Sequence, residues 1–209
     1  MNKFEKKMLV LRSQLIGAQM FDALAAMEFA ARHHTGKRKG GDPEFDHQVS
    51  IALYALTLPF LRYREEVIAT IFLHDVREDY GVTDGEIVAL FVDADKARRI
   101  ADAVDAMTKT FRGEKRDEQE LFERMARDPI ASIAKGCDRI HNLQTMVGVF
   151  TVEKMISYIA EAKELFFPML KKARRLHPSQ VTAYENIKFV LTSQIELIEA
   201  VIATSKQAG

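Results

Sequence analysis

The feature that most constrains this chain is an apolar stretch that leads directly into four titratable side chains. Residues 67–73 are apolar except for one threonine, and within six positions they are followed by His74, Asp75, Glu78 and Asp79. Burying so many ionisable groups costs free energy unless a partner compensates them. A divalent cation is the simplest partner, so this stretch predicts a metal or proton-transfer site at the end of a buried helix.

The rest of the chain is typical of an all-α protein. Apolar residues recur at helical spacing, and the alternation expected of strands is hard to find. The chain has five prolines and ten glycines, spread along its 209 residues, with no internal repeat. A chain of this length can bury one core. We therefore predict a single all-α domain over residues 1–209.

Composition narrows the functional class. Lys plus Arg number 30 and Asp plus Glu number 30, so the basic excess expected of a nucleic-acid partner is missing. Cys137 is the single cysteine, which excludes an internal disulfide and suits a reducing compartment. We see neither a secretion signal at the N-terminus nor an apolar run of about 20 residues. We expect a cytoplasmic protein without a membrane partner; the sequence leaves the oligomeric state open.

Local signals place the helices. Asp46 is expected to cap one helix, Thr83 opens another with a capping box, and Asp117 caps a third. Residues 108–116 are polar and charged, which predicts an exposed, mobile loop. The remaining helices are predicted at residues 4–16 and 18–34 (one broken helix or two consecutive ones), 64–79, 94–107, from 128 through 143, 151–170 and 179–204.

A basic loop precedes the second region of interest. Residues 35–43 contain paired glycines, an Asp-Pro step and the cations Arg38 and Lys39. A solvated turn is the ordinary interpretation of such a segment. The alternative is a phosphate cradle, in which glycine allows close backbone approach and the cations donate charge-assisted hydrogen bonds.

Several polar residues are ambiguous alone but form a pattern together. His47 alone is typical of a local hydrogen-bonding residue, and Asp138, Arg139, His141 and Asn142 alone are typical of a surface. Two imidazoles and two carboxylates from three helices would nevertheless suit Mn²⁺, Fe²⁺, Zn²⁺ or Mg²⁺. The long spacings and the single cysteine exclude a zinc finger. The candidate ligands are His47, His74, Asp75 and Asp138. The adjacent His74 and Asp75 can share a metal if the helix end is distorted there.

These residues resemble the pattern of the HD-domain metal-dependent phosphohydrolases. Within that superfamily, three segments are similar to the alarmone hydrolase domain of the RelA/SpoT family: residues 38–47, residues 73–79 and residues 135–146. Residues 106–109 echo a family Gly-Val-Thr-Lys. The similarity covers about residues 20–170. It implies an HD-domain helical bundle that the C-terminal helices complete, and a stand-alone small alarmone hydrolase.

The resemblance also implies roles for individual residues. His47, His74, Asp75 and Asp138 would bind one Mn²⁺, with other divalent metals possible. Glu78 and Asp79 would position and deprotonate the attacking water. The implied substrate-binding residues are Arg38 and Lys39 on phosphates, Asn142 and Thr145 in the nucleotide pocket, and Lys109 and Arg139. The implied reaction removes the 3′-pyrophosphate of (p)ppGpp, gives GDP or GTP plus pyrophosphate, and terminates stringent-response signalling.

The sequence departs from the family pattern at four positions. Gly40 replaces a serine, Glu44 a tyrosine, Gln48 the proline after the first metal histidine, and Gln144 an arginine. None is a predicted ligand, so hydrolysis should survive. Base preference remains open. His141 is expected to have a supporting or structural role.

Two alternatives therefore stand beside the leading prediction. One is an HD phosphohydrolase that acts on another nucleotide, such as a ppApp-type alarmone or a nucleoside 5′-phosphate. The other is a non-catalytic alarmone-binding or antitoxin module. The second alternative predicts a damaged set of metal ligands, whereas all four candidates are present here.

Overall fold

The computed structural model describes residues 1–207, and the side chains of residues 1–204. It confirms the predicted all-α bundle. The α-helices in the described residues are α1 (Lys3–Gly17), α2 (Phe21–His33), α3 (Asp46–Ala55), α4 (Arg64–Leu73), α5 (Val76–Tyr80), α6 (Asp84–Val88), α7 (Ala94–Met107), α8 (Glu118–Arg127), α9 (Ala131–Met146), α10 (Val152–Glu161), α11 (Phe167–Leu176) and α12 (Val181–Gln207).

Helix α4 lies at the centre of the bundle. All its residues from Glu66 to Leu73 are buried, and it packs against α2, α3, α7 and α9. A helix that is apolar on every side is stable only when other elements surround it. The end of α4 is therefore fixed among its neighbours, and so is the position of the residues that follow it.

The predicted helix over residues 64–79 is not continuous. Helix α4 ends at Leu73, and α5 begins at Val76. The His74 Nδ1 lies 2.7 Å from the Ile71 carbonyl oxygen, which a continuous helix would bond to the backbone N–H of Asp75. This competition by a side chain accounts for the break. Gly81 then ends α5 in the left-handed conformation, with φ of 68°.

The loop predicted at residues 108–116 is instead a small antiparallel hairpin. Strands β1 (Thr110–Phe111) and β2 (Glu114–Lys115) pair with Thr110 opposite Lys115. Arg112 and Gly113 both have positive φ, as a two-residue hairpin turn of type I′ requires. The prediction of an exposed, mobile loop missed this turn signal.

Three further boundaries differ from the predictions. Asp46 is the first residue of α3 rather than its cap, and its carboxylate accepts from Lys7 Nζ at 2.9 and 2.8 Å. A π-helical turn at Ala162–Phe166 separates α10 from α11. Proline lacks the backbone N–H that a continuous helix would use, and this turn accommodates Pro168 in the first turn of α11. A 3₁₀ turn at Pro178–Gln180 precedes α12.

Helix α9, predicted from residue 128, begins at Ala131, whereas the predictions for α6, α7 and α8 are confirmed. Helix α7 spans the predicted residues, and Thr83 and Asp117 accept the expected backbone hydrogen bonds at the starts of α6 and α8. The buried apolar side chains form one cluster. Within the described part of the chain, no helix is both long enough and apolar enough to cross a bilayer.

Candidate metal centre

The four candidate ligands converge between the start of α3, the end of α4 and the middle of α9. His47 Nε2 lies 3.0 Å from Asp138 Oδ1, and His74 Nε2 lies 3.0 Å from Asp75 Oδ2. His74 Nε2 is also 3.8 Å from Asp138 Oδ1. Donor atoms of His47, His74 and Asp75 all lie within 4.8 Å of one another. Residues separated by 27 and 63 positions thus meet at one point.

The electrostatics of this cluster suit a cation. Burial alone would raise the pKa of Asp75, but the neighbouring His74 lowers it to about 2. Burial would likewise raise the pKa of Asp138, but Lys135 and His47 hold that pKa well below its usual range. Burial would lower the pKa of His74, but Asp75 and Asp138 raise it to about 9. A divalent cation would replace the proton on His74, and metal binding would therefore release that proton.

Each of three ligands has a partner that fixes its orientation. The Ile71 carbonyl accepts from His74 Nδ1–H, so that His74 Nε2 is the ring nitrogen that faces the cluster. His141 Nδ1 lies 2.8 Å from His47 Nδ1, and with His47 as donor the His47 Nε2 likewise faces the cluster. Asp138 accepts from Asn142 Nδ2 and from Lys135 Nζ, both at 2.7 Å. Such partners are typical of metal sites.

The donor chemistry fits a divalent cation. Two imidazole nitrogens and two carboxylates, with no sulfur, suit Mn²⁺, Fe²⁺, Zn²⁺ or Mg²⁺. Asp138 is only 3% exposed and Arg139 only 4%, so the interpretation of these two residues as surface polars is wrong. They face the core because α9 is packed between α3, α4 and α12. His141 and Asn142 are half-buried.

Glu78 and Asp79 lie on α5, one turn beyond the ligands. They line a cavity of about 460 Å³ together with the four candidate ligands. Burial, together with the charges of Asp75 and Glu78, raises the pKa of Asp79 to about 6. Glu78 Oε2 accepts from the Lys109 backbone N–H at 3.1 Å. The two carboxylates are therefore placed to accept a proton beside the ligand cluster.

The predicted substrate-binding residues fall into two neighbouring cavities. Arg38, Lys109, Arg139 and Asn142 line the cavity of the ligands. Lys39 and Thr145 line a second cavity of about 770 Å³, which shares Arg38 and His47 with the first. Two neighbouring cavities that share a cation offer room for a ligand with two separate anionic groups.

Some of these residues also have partners within the chain. Arg139 pairs with Glu161, and its guanidinium lies over the rings of Tyr158 and Phe166. Lys109 Nζ donates to Glu118 at 3.0 Å, and the Thr145 hydroxyl donates to the His141 carbonyl at 2.9 Å. Lys135 was not predicted as a site residue, although it lies three residues before Asp138, a spacing that places both on one helix face.

A cluster around Asp105 connects α5 to the hairpin. Its carboxylate contacts Arg116 at 2.6 Å, Arg77 at 3.1 Å, and Arg124. Arg77 is buried and lies over the Phe111 ring at 4.4 Å. Burial would raise the pKa of Asp105, but Arg116 and the other cations lower it. The cluster fixes the helix turn that carries Glu78 relative to the backbone of Lys109.

We expect Asp79→Asn to stabilise the metal-free protein near pH 7.5. The raised pKa of Asp79 means that its ionised form is disfavoured in the folded state. This destabilisation is absent below the ordinary carboxyl pKa near 4 and complete above about 6. The Asp79 side chain is only partly shielded from solvent, so we expect a gain of only about 1 kcal/mol. Thermal unfolding at pH 7.5 and pH 4.5 checks this, because the gain should shrink at the lower pH. An equal gain in stability at both pH values would contradict the raised pKa of Asp79.

Known proteins resemble this chain over most of its length. A model of the HD domain matches residues 26–177. A guanosine-3′,5′-bis(diphosphate) 3′-pyrophosphohydrolase of Aquifex aeolicus is 33% identical over 150 residues, covering 69% of this chain and 20% of the relative. A probable enzyme of the same name from Synechocystis is 31% identical over 145 residues, covering 67% and 18%. A GTP pyrophosphokinase of Streptomyces antibioticus is 31% identical over 153 residues, covering 69% and 17%.

The chain spans about a fifth of the length of these curated relatives. Their names confirm the resemblance to the RelA/SpoT type of hydrolase, and the matched region contains all four candidate ligands, Glu78 and Asp79. The helical bundle agrees with the same resemblance. The matched residues exceed half of the chain, and the chain therefore belongs to the HD-domain family.

Proposed function

We propose that this chain is a Mn²⁺-dependent hydrolase that removes the 3′-pyrophosphate of (p)ppGpp and so terminates stringent-response signalling. The observation that carries the proposal is the convergence of His47, His74, Asp75 and Asp138 beside the carboxylates of α5. The relatives named as 3′-pyrophosphohydrolases support the choice of substrate.

The four converging residues would hold one ion. A bound divalent ion lowers the pKa of water and neutralises phosphate charge. Mn²⁺ is our choice on the family resemblance, and the mixed nitrogen and oxygen donors are compatible with it. The orienting contacts of His141, Asn142 and Lys135 keep the donor atoms directed toward one point.

The carboxylates of α5 would act on the attacking water. Glu78 and Asp79 orient it and accept its proton. The water oxygen forms a bond to the phosphorus that carries the 3′ oxygen. The bond between that phosphorus and the 3′ oxygen breaks, and its electron pair goes to the 3′ oxygen, which takes a proton. The products are pyrophosphate and GDP or GTP.

The cations of the two cavities would bind the substrate anions. Arg38, Lys109 and Arg139 line the cavity of the ligands, where they would contact the 3′-pyrophosphate. Lys39 lines the second cavity, where it would contact phosphates. Thr145 in that cavity and Asn142 in the first would line the nucleotide pocket, and Arg38 lines both cavities. The hydrogen bond from Arg38 Nη2 to Asn142 Oδ1, at 3.3 Å, connects the two regions.

The departures from the family pattern divide between the same two cavities. Gly40 and Gln144 line the second cavity, whereas Glu44 and Gln48 line the cavity of the ligands. The two replacements near the expected nucleotide position bear on base preference, and the alternative is therefore an HD phosphohydrolase that acts on a ppApp-type alarmone or a nucleoside 5′-phosphate. A non-catalytic alarmone-binding or antitoxin module is less favoured because the candidate ligands are all present. A single domain over residues 1–209, a cytoplasmic location and the absence of nucleic-acid partners stay predictions.

Product analysis tests the proposal. Protein treated with EDTA is supplied with Mn²⁺ and offered ppGpp, ppApp and dGTP in parallel. We expect GDP and pyrophosphate from ppGpp only when metal is present. Turnover of ppApp or dGTP alone would reassign the substrate and direct attention to Gly40 and Gln144. Absence of turnover on all three, with metal bound, would contradict the proposed reaction.

A further inference from the structure

Two of the replaced family positions meet a third residue beside Asp75. Gln48 follows the ligand His47 on α3 and is 1% exposed. His34 follows α2, and its side chain is fully buried. Glu44 directly follows the basic loop and lines the same cavity as Gln48. These three side chains form a connected series that ends at a candidate metal ligand.

The distances define the series. Gln48 Nε2 lies 3.5 Å from Asp75 Oδ2 and 3.5 Å from His34 Nε2. His34 Nδ1 lies 3.4 Å from Glu44 Oε1. Glu44 Oε2 accepts from the Tyr80 hydroxyl at 2.9 Å and from the Gly36 N–H at 3.2 Å. The series therefore runs from the basic loop through the core to the metal cluster.

One assignment of protons is consistent with both contacts of Gln48. The Gln48 amide donates one hydrogen to Asp75 and the other to Nε2 of neutral His34. His34 Nδ1 faces Glu44 Oε1 at 3.4 Å and makes no hydrogen bond within the described residues. Burial lowers the pKa of His34, which keeps it neutral at pH 7. The reverse orientation of the amide would place the Gln48 oxygen against the Asp75 carboxylate. The donors and acceptors thus select one arrangement.

Asp75 is the ligand that most needs such support. Its side chain is 36% exposed, whereas those of His47, His74 and Asp138 are at most 8% exposed. The other three ligands have the orienting partners described above. Among the described residues, the side chain that donates to Asp75 from outside the ligand group is Gln48.

Packing does not account for a glutamine at this position. The buried Gln48 Oε1 has no hydrogen-bond partner among the described residues. An unsatisfied buried acceptor costs free energy that an apolar side chain of similar size would avoid. A polar residue in this place is explained by the contact that it makes with Asp75.

We propose that Gln48, held in place by His34 and Glu44, is a positioning residue that orients the Asp75 carboxylate toward the metal. The inference rests on the metal site of the proposed function and is independent of the substrate. Residues that orient metal ligands typically change metal affinity 10- to 100-fold when they are replaced.

Calorimetric titration of Mn²⁺ into EDTA-treated protein tests this role. We expect Gln48→Leu to weaken Mn²⁺ binding by roughly 10- to 100-fold. The matched control is Gln180→Leu, a fully buried glutamine that accepts from Arg62 N–H and donates to the Pro129 carbonyl. The control should leave Mn²⁺ affinity within about twofold. The electron paramagnetic resonance spectrum of bound Mn²⁺ should change in Gln48→Leu and stay unchanged in Gln180→Leu.

A second variant, His34→Leu, tests the connection through His34. It also provides a test if Gln48→Leu does not fold. His34→Leu should weaken Mn²⁺ binding less than Gln48→Leu, and it should add nothing in the double variant, because both act through Asp75. Unchanged Mn²⁺ affinity in Gln48→Leu, or in His34→Leu if the first variant does not fold, would overturn the inference. Additive losses in the double variant would overturn it as well. Metal binding without ppGpp turnover in the wild type would contradict only the proposed function.

Discussion

Replacement of Asp138 with asparagine should abolish divalent-metal binding and lower turnover by at least about 10³-fold. Asp138 is a buried carboxylate that contacts His47, His74 and Lys135. Asparagine retains the volume of the side chain but removes the negative charge that would balance the cation. It also leaves the Lys135 ammonium without a charged partner. Calorimetry with Mn²⁺ and product analysis with ppGpp measure the two effects.

Asp128→Asn provides a matched control just before the start of α9, the helix that carries Asp138. Asp128 is a half-buried aspartate whose Oδ1 accepts from the N–H groups of Ile130 and Ala131 at the start of α9. Asparagine is an equally good cap, so metal binding and turnover should be retained. Circular dichroism should show wild-type helicity in both variants. Full turnover in Asp138→Asn would contradict the assignment of the site.

Glu78→Gln should retain Mn²⁺ binding but lower kcat by roughly 10²- to 10⁴-fold. The glutamine oxygen can still accept from the Lys109 N–H, so α5 and the hairpin should keep their relative positions. Glutamine cannot accept a proton from water. We therefore expect Mn²⁺ affinity within a few-fold of the wild type and a fall in kcat, measured as pyrophosphate released under saturating substrate.

Glu114→Gln is the control for this experiment because Glu114 is an exposed glutamate on strand β2. It should retain both metal binding and turnover. If Glu78→Gln instead lost Mn²⁺ binding, Glu78 would have to be reassigned as a metal ligand. If it kept the wild-type rate, the proton acceptor would have to be another group.

Local signals were sufficient to predict much of the fold. The apolar stripe of α7 and the caps at Thr83 and Asp117 depend on residues close in sequence, and these predictions are confirmed. The break at His74 was not predicted, because it depends on the His74 side chain occupying the Ile71 carbonyl. The hairpin at residues 110–115 was missed because its strands are only two residues long.

The candidate site was predictable only in part. The sequence motifs predicted His47, His74, Asp75 and Asp138 as candidate metal ligands, and in the structure these residues converge. The contacts of Gln48 with His34 and Asp75 span 14 and 27 positions and depend on how α2, α3 and α4 pack. No local pattern encodes such contacts. The burial of Asp138 and Arg139 likewise depends on the packing around α9.

The most direct test of the central claim is anomalous diffraction from crystals of the protein soaked in Mn²⁺. The account predicts one peak in the cluster, roughly 2.0–2.4 Å from His47 Nε2, His74 Nε2, Asp75 Oδ2 and Asp138 Oδ1. The Gln48 amide should still contact Asp75 in that structure. A peak elsewhere would contradict the proposed metal centre. So would the absence of any peak at a Mn²⁺ concentration that gives binding in solution.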